Sequence, residues 1–113
     1  MYNIMRKEVY GMIQLKKGFL DIIVLAALME KDSYGYKIIQ DISDVIEVSE
    51  STLYPVLRRL EVQGLLTTYT YQHGGRLRKY YSITPAGIAR VYGFTDDWRQ
   101  LKKAYDFVLS KLK

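Results

Sequence analysis

Cysteine is absent from this chain of 113 residues, and histidine occurs once, as His73. The lack of cysteine excludes disulfide bonds and thiolate metal sites. The sequence contains no recognisable set of metal ligands and no pairing of a nucleophile with a base. We therefore predict a protein that is not an enzyme and that requires no metal or cofactor.

Long hydrophobic runs are absent as well. The longest, Ile22 to Met29, is far shorter than the roughly 20 apolar residues that span a bilayer. The N-terminal segment has no continuous apolar core of the kind found in a signal peptide. These features predict a cytoplasmic protein without a membrane partner, and the length suits one domain with at most an appended helix.

Positive charge is in excess, with a formal net charge of +5 and a sequence pI of about 9.4. This balance suits an anionic partner such as nucleic acid, although many other proteins are equally basic. The chain also contains 11 tyrosines. Tyrosine is useful at protein interfaces, nucleic-acid surfaces and ligand pockets alike, so its abundance does not distinguish among them.

Residues 49–66, SESTLYPVLRRLEVQGLL, predict a helix with recognisable ends. Ser49 is a favoured N-cap residue, and Gly64 stands where a left-handed residue ends a helix. Pro55 removes a backbone donor in the second turn. Apolar residues nevertheless recur at helical spacing across it, so we expect a continuous helix with a kink or a loosened first turn. These residues are Leu53, Val56, Leu57 and Leu60.

The opposite face of this helix carries Ser51, Tyr54 and Arg58 on one stripe. All three side chains can donate hydrogen bonds to base edges or to phosphates, as in a DNA-reading helix. The alternative is an ordinary amphipathic helix with a polar outer face.

A basic hairpin is predicted directly after the helix. Residues 66–71 and 77–83 are rich in β-branched and aromatic residues, and the connector 72–76 contains two glycines. Arg76, Arg78 and Lys79 lie at or beside the tip. This order is typical of a winged helix-turn-helix, in which the helix enters the major groove and the wing contacts backbone or minor groove. We predict a mainly α-helical fold with a small β-hairpin.

Three further helices are predicted before the DNA-reading helix. Residues 2–17 form a packing helix, and residues 19–30, apolar nearly all round, form the central core helix. Ser33 is the predicted N-cap of the next helix, whose apolar face carries Ile38, Ile39, Ile42, Val45 and Ile46. Residues 1–84 together are predicted to form the DNA-binding domain.

Residues 85–113 are predicted to form a C-terminal dimerisation helix, with Thr84 at its N-cap and Pro85 in its first turn. Six side chains recur with the alternating spacing of a coiled-coil seam. They are Phe94, Trp98, Leu101, Tyr105, Val108 and Leu112. This stripe either docks on its own domain or meets a two-fold partner. We favour the homodimer because the other helices already use their apolar faces to build the domain.

Several short motifs together resemble the PadR family of transcriptional regulators. They are Tyr34-Gly-Tyr36, Ser51-Thr-Leu-Tyr-Pro55, Arg59-Leu-Glu61 with Gly64-Leu65, Arg78-Lys-Tyr-Tyr81 and Thr84-Pro-Ala-Gly87. Each motif is weak alone, but their order and spacing are specific, and they cover the chain from Gly18 onward. The single short C-terminal helix resembles the smaller subfamily, which includes multidrug-sensing repressors.

The resemblance implies a homodimeric winged-helix regulator, usually a repressor, that a small molecule releases from its operator in some members. The recognition-helix and wing residues of the family correspond here to Ser51, Thr52, Tyr54, Arg58, Arg78 and Lys79. In the multidrug-sensing relatives a tryptophan eleven positions after the helix-start glycine lines a pocket at the dimer interface. Trp98 stands at that position relative to Gly87.

Trp98 therefore has two interpretations. It is either a packing anchor of the seam or a surface on which a small planar aromatic effector stacks. In the second case Phe94 and Tyr105 extend the apolar wall, and Asp97 offsets a positive charge on the ligand.

The most specific function predicted by the sequence is a DNA-binding repressor that recognises a palindromic operator in double-stranded DNA as a homodimer. Tyr34 and Tyr36 flank a glycine at a helix start, where a hydroxyl either donates to a phosphate or a ring joins the core. The rival interpretation is an adaptor, a winged helix that binds another protein instead of DNA. A steep salt dependence of duplex binding would distinguish the two.

Overall fold

The computed structural model describes residues 18–112, without the side chain of His73, so the predicted helix at 2–17 lies outside the described residues. Helix α1 occupies residues 18–27, and five further elements follow it. They are α2 (Gly35–Ile42), α3 (Glu50–Val62), β1 (Leu66–His73), β2 (Arg76–Ile83) and α4 (Pro85–Lys111). The strands pair as an antiparallel hairpin. The predicted fold class, mainly α-helical with a winged helix-turn-helix, is confirmed.

The hydrophobic core lies where α1, α2, α3 and the base of the hairpin meet. Helix α1 supplies buried side chains as predicted, and the apolar stripe of α3 faces the same core. Burying each large aliphatic side chain contributes about 1.5–3 kcal/mol to folding. The buried apolar residues are Val24, Leu25, Leu28, Ile38, Ile42, Leu53, Val56, Leu57, Leu60, Leu65, Leu66 and Tyr81.

Helix α3 begins as its sequence predicts. The Ser49 hydroxyl oxygen accepts a hydrogen bond from the Thr52 backbone N–H at 3.3 Å, which satisfies one of the unpaired donors of the first turn. The helix then continues across Pro55 to Val62. The burial of an unbroken apolar stripe therefore prevails over the cost of the proline.

The end of α3 is a Schellman motif. Gly64 adopts a left-handed conformation with φ of 77°. The Leu65 N–H donates to the Leu60 carbonyl at 2.9 Å, and the Gly64 N–H donates to the Glu61 carbonyl at 2.9 Å. This cap turns the chain sharply into β1, so the wing follows the helix without a linker.

Two predictions about α2 are wrong. Ser33 is not its N-cap: the helix has Tyr34 at that position, without a side-chain cap. Ser33 instead pairs with Tyr81 through both backbone groups, at 3.1 and 2.7 Å, which draws it into an extended, buried position beside β2. Val45 does not join the apolar face, because α2 ends at Ile42 and the Val45 side chain is 72% exposed.

The hairpin is longer than predicted. Its connector is only Gly74-Gly75, so residues 72, 73 and 76, which the sequence predicts in the connector, belong to the strands. Both glycines have positive φ, 58° and 80°. Two consecutive left-handed residues form the type of two-residue turn that matches the twist of paired strands, so pairing extends to His73 and Arg76.

Helix α4 is attached firmly at its start. The Thr84 hydroxyl oxygen accepts from the Gly87 N–H at 3.1 Å, as predicted for an N-cap, and also donates to the Gly64 carbonyl at 2.8 Å. A Cβ at Gly87 would lie 2.4 Å from the Leu65 carbonyl oxygen, so only glycine permits this approach. Farther along, every side chain of residues 95–112 is exposed.

No helix within residues 18–112 is both long enough and apolar enough to cross a membrane.

Candidate nucleic-acid interface

The outer stripe of α3 lies in solvent. Ser51, Tyr54 and Arg58 are all exposed, on the side of the helix opposite the buried leucines. Arg58 forms no ion pair with any residue of the described part of the chain. The neighbouring Arg59 differs, because its guanidinium is paired with the Asp21 carboxylate of α1. Arg58 thus remains available for an external anion, whereas Arg59 joins two helices.

The first turn of α3 contains a small network of hydroxyls. The Ser49 hydroxyl lies 2.9 Å from that of Ser51 and donates to the Thr52 hydroxyl at 3.2 Å. Ser51 and Thr52 are therefore oriented by the helix cap while both side chains stay exposed. The cap at Ser49 thus fixes the start of the helix and also orders two exposed hydroxyls beside it.

Tyr54 is positioned by a glycine at the start of α2. A Cβ at Gly35 would lie 2.6 Å from the Tyr54 hydroxyl oxygen and 2.9 Å from Cζ, so the ring occupies space that a side chain at Gly35 would need. Tyr54 is nevertheless 44% exposed. Burial raises the pKa of the adjacent Tyr81 hydroxyl, and the neighbouring Tyr54 and Glu61 raise it further. Sequence reasoning did not identify the contact between Gly35 and Tyr54.

Two cations of the wing are held against aromatic rings. The Arg78 guanidinium carbon lies 4.4 Å from the centroid of the Tyr34 ring. The Lys79 ammonium lies 5.6 Å from the centroid of Tyr81. Both are cation–π distances. Arg76 makes no such contact and no ion pair with the described residues, so the structure distinguishes one free cation at the tip from two positioned ones.

These side chains converge on one concave surface, a cleft of about 450 Å³ between the start of α2, the middle of α3 and the wing. No acidic side chain lines it. Six of the nine residues that we predicted for DNA binding line it; Ser51 and Thr52, which precede Tyr54 on α3, and Arg58, which follows it, do not. The lining residues are Tyr34, Gly35, Tyr36, Tyr54, Arg76, Arg78, Lys79 and Tyr81.

The predicted effector residues lie elsewhere, on α4. Phe94 and Trp98 stack at 6.0 Å, and the Phe19 ring of α1 packs edge-on against both, at 5.4 and 5.0 Å. Phe94, Trp98 and Asp97 line a groove of about 770 Å³ beside α1. Tyr105 is not part of that groove but shares a second hollow, of about 640 Å³, with Trp98. Trp98 and Leu101 are therefore the residues common to both.

The predicted seam of α4 divides into two parts. Its beginning docks on α1 of the same chain through Phe94 and Trp98. From Leu101 onward the side chains of the stripe are exposed: Leu101, which borders the groove beside α1, is 45%, Tyr105 61% and Val108 54% exposed. Within residues 18–112 no cluster of acidic or histidine side chains could hold a metal ion.

Comparison with known proteins agrees with this architecture. The sequence model of the "Transcriptional regulator PadR-like family" matches residues 24–92. Over 93 residues the chain is 33% identical to the transcriptional regulator Rv3488 of Mycobacterium tuberculosis, covering 81% of this chain and 84% of that protein.

Solved structures are similar as well. The crystal structure of a PadR family transcription regulator from Clostridium difficile R20291 superposes with a TM-score of 0.75 at 33% identity, covering 80% of this chain and 98% of that one. Bacillus subtilis PadR, solved in complex with operator DNA, shares the fold, with a TM-score of 0.63 at 23% identity, over 68% of this chain and 45% of that one. Because the family model covers more than half of the sequence and Rv3488 is similar over four-fifths of it, this chain belongs to the PadR-like family of transcriptional regulators.

Proposed function

We propose that the protein is a sequence-specific DNA-binding repressor that recognises a palindromic operator as a homodimer. One observation carries this proposal: tyrosine and basic side chains from three separate segments converge on one exposed cleft that no acidic residue lines. A surface of this kind combines phosphate neutralisation with hydrogen-bond donors that reach base edges.

In this proposal α3 enters the major groove with Ser51, Tyr54 and Arg58 directed at the bases or their phosphates. Arg78 and Lys79 of the wing contact the backbone, where cations position the protein without reading the sequence. The rings beneath the two cations limit their motion, which lowers the conformational entropy lost on binding. The operator complex known for Bacillus subtilis PadR supports DNA as the partner through the shared fold.

The dimer part of the proposal is supported by the exposed stripe of α4. A two-fold partner would bury the seam from Leu101 to Leu112, which the domain leaves in solvent. Two-fold symmetry would then place the two α3 helices about one duplex turn, roughly 34 Å, apart on a palindromic site.

The effector part of the proposal rests on Trp98. It lies on the helix that would join the subunits and borders both the groove beside α1 and the hollow along the seam. A planar aromatic molecule stacked there would alter how the subunits pack and therefore the separation of their α3 helices. By linkage, such a ligand releases the operator if it prefers the arrangement that does not fit DNA.

Selection of fragments from the organism's own genome by the purified protein tests the proposal and supplies the operator. Arg58→Ala and Tyr54→Ala should each weaken operator binding by roughly 5- to 100-fold, as for loss of one good base contact. Lys79→Ala should weaken binding to all DNA sequences alike. It should also reduce the slope of the logarithm of the binding constant against the logarithm of the salt concentration by about one. Lys103→Ala, which removes an exposed cation from α4, is the matched control.

Operator affinity retained by all three variants at physiological salt would contradict the groove assignment. Recovery of no preferred sequence, together with a shallow salt dependence on duplex DNA, would instead favour the protein-binding adaptor.

A further inference from the structure

The segment Asp32-Ser33-Tyr34, immediately before α2, contacts the wing through each of its three residues. The Asp32 carboxylate accepts a hydrogen bond from the Tyr69 hydroxyl at 2.8 Å. Ser33 pairs with the backbone of Tyr81 in both directions. The Tyr34 ring lies under the Arg78 guanidinium. The wing is thus attached to the start of α2 as well as to the end of α3.

Tyr69 differs from the other contacts because it comes from the far strand. Ser33 pairs with β2, and β1 lies on the other side of β2. The Tyr69 side chain therefore reaches across the neighbouring strand to meet Asp32. It stacks on its cross-strand partner Tyr80, with centroids 5.6 Å apart and planes 14° from parallel. Tyr80 in turn contacts the edge of Tyr34 at 5.5 Å.

These contacts form one continuous layer on the outer face of the wing. The hydrogen bond to Asp32 raises the pKa of the Tyr69 hydroxyl above its ordinary value. The layer ends at Arg78, one of the two positioned cations. A two-stranded hairpin is marginally stable by itself, so its position relative to α3 depends on contacts of this kind.

We propose that Tyr69 and Asp32 are positioning residues for DNA binding, which hold the wing at a fixed angle to α3 so that Arg78 and Lys79 reach the phosphates while α3 occupies the groove. This inference rests on the proposed DNA-binding function. Neither residue touches DNA in it. Their effect comes from fixing the wing before binding, which lowers the ordering cost of the complex.

The test removes the hydrogen bond with matched variants. Tyr69→Phe deletes only the hydroxyl and should weaken operator binding by roughly 3- to 10-fold, the usual range for one hydrogen bond. Asp32→Asn and Asp32→Ala remove the same charge, but only asparagine keeps an acceptor oxygen. The alanine variant should bind the operator several-fold more weakly than the asparagine variant. Tyr92→Phe, an exposed tyrosine on α4, is the control and should bind as the wild type does.

Repeating Tyr69→Phe in a variant whose wing lacks its cations distinguishes a role in positioning the wing from a general loss of protein stability. In Arg78→Ala/Lys79→Ala the wing has lost its phosphate contacts, so adding Tyr69→Phe should cause no further loss. Tyr69→Phe alone should also flatten the salt slope toward that of this double variant. Wild-type affinity in Tyr69→Phe, or an equal loss in both backgrounds, would overturn the proposal.

Amide hydrogen exchange in the free protein tests the positioning role independently of the proposed DNA-binding function. Tyr69→Phe and Asp32→Ala should accelerate exchange of the hairpin amides relative to α3, and Asp32→Asn should not. Unchanged exchange would contradict the positioning role even if DNA binding is confirmed. If exchange is accelerated in Tyr69→Phe and Asp32→Ala but the wild-type protein selects no DNA, the contact is supported and the proposed function is refuted instead.

Discussion

The winged-helix body, residues 18–94, and the distal part of α4, residues 95–112, have opposite relations to solvent. All 12 buried apolar side chains of the described chain belong to the body. The distal part has no buried residue, although Leu101, Tyr105, Val108 and Leu112 lie on one stripe of it. The body completes its own core, whereas the distal helix carries apolar surface that the body does not cover.

Local interactions do not compensate for this difference. Lys102 and Asp106 pair at 2.9 Å, and Arg99 and Asp96 approach to 3.7 Å, but all four side chains are more than half exposed. Exposed pairs of this spacing stabilise a helix by only about 0.2–0.5 kcal/mol each. Most helical stability in proteins comes from packing an apolar face, and this face is unpacked in the single chain. The comparison supports the proposed homodimer.

The largest effect is expected from a substitution that disrupts the contact between the start of α4 and the rest of the body. Gly87→Ala places a Cβ against the Leu65 carbonyl oxygen, a backbone atom that cannot rotate away. Helix α4 must shift, and we expect a loss of roughly 2–3 kcal/mol in the free energy of unfolding, measured with urea.

Gly93→Ala is the matched control, because a Cβ there meets no atom within 4 Å. Replacing a helical glycine in open space should raise the free energy of unfolding by about 0.5–1 kcal/mol. Equal effects of the two substitutions would contradict the tight docking of α4 on the end of α3.

The next largest effect should separate assembly from folding. Leu101→Asp changes no buried side chain of the body but would strand two carboxylates in an apolar dimer interface. We expect the dissociation constant of the dimer to rise at least about 100-fold in sedimentation experiments, with loss of specific DNA binding. Gln100→Asp adds the same charge one residue away, off the stripe, and should leave the dimer intact. A wild-type protein that sediments as a monomer at micromolar concentration would refute the dimer.

A smaller effect is expected within the body. Gly35→Ala would displace the exposed Tyr54 ring rather than backbone, so the fold should survive while operator affinity falls roughly 10-fold. In a Tyr54→Ala background the same substitution should have no further effect on DNA binding. An additional loss there would show that Gly35 acts through something other than Tyr54.

The smallest effect concerns Trp98, at the boundary of the two regions. It is the only tryptophan, so intrinsic fluorescence reports on this position alone. A planar cationic dye should quench it saturably and weaken operator binding by about 5-fold or more. Calorimetry should show weaker dye binding to Trp98→Ala. If none of a varied set of planar aromatic compounds quenches the Trp98 fluorescence, Trp98 has only a packing role. If a compound quenches it without changing the affinity for DNA, the protein has a binding pocket that does not regulate DNA binding.

The features that sequence reasoning predicted correctly are local ones. Ser49, Gly64 and Thr84 stand at helix ends because their side chains or backbone freedom satisfy groups a few residues away. The apolar stripe of α3 could be predicted across Pro55 for a similar reason, because the spacing of apolar residues depends directly on which side of the helix is buried. The positions of Tyr54 and Arg58 on the opposite face follow from the same period.

The errors arose where a distant segment decided the outcome. Ser33 has the composition of a cap, but Tyr81, far along the chain, draws its backbone into a strand-like bridge. Val45 fits the helical period, yet α2 ends before it. No short-range signal paired Tyr69 with Asp32 or placed Gly35 under Tyr54, because each of these contacts joins segments remote in sequence.

The sequence by itself determined the order of the elements, both ends of α3, the start of α4, the family and the existence of an apolar stripe on α4, since each depends on residue type and spacing along the chain. Only the tertiary structure decided that Arg78 and Lys79 lie over aromatic rings and that Tyr69 reaches across β2 to Asp32. It also decided at which residue the apolar stripe of α4 becomes exposed. Those properties depend on distances between segments that the packing of the core brings together. Composition and periodicity carry no information about such distances.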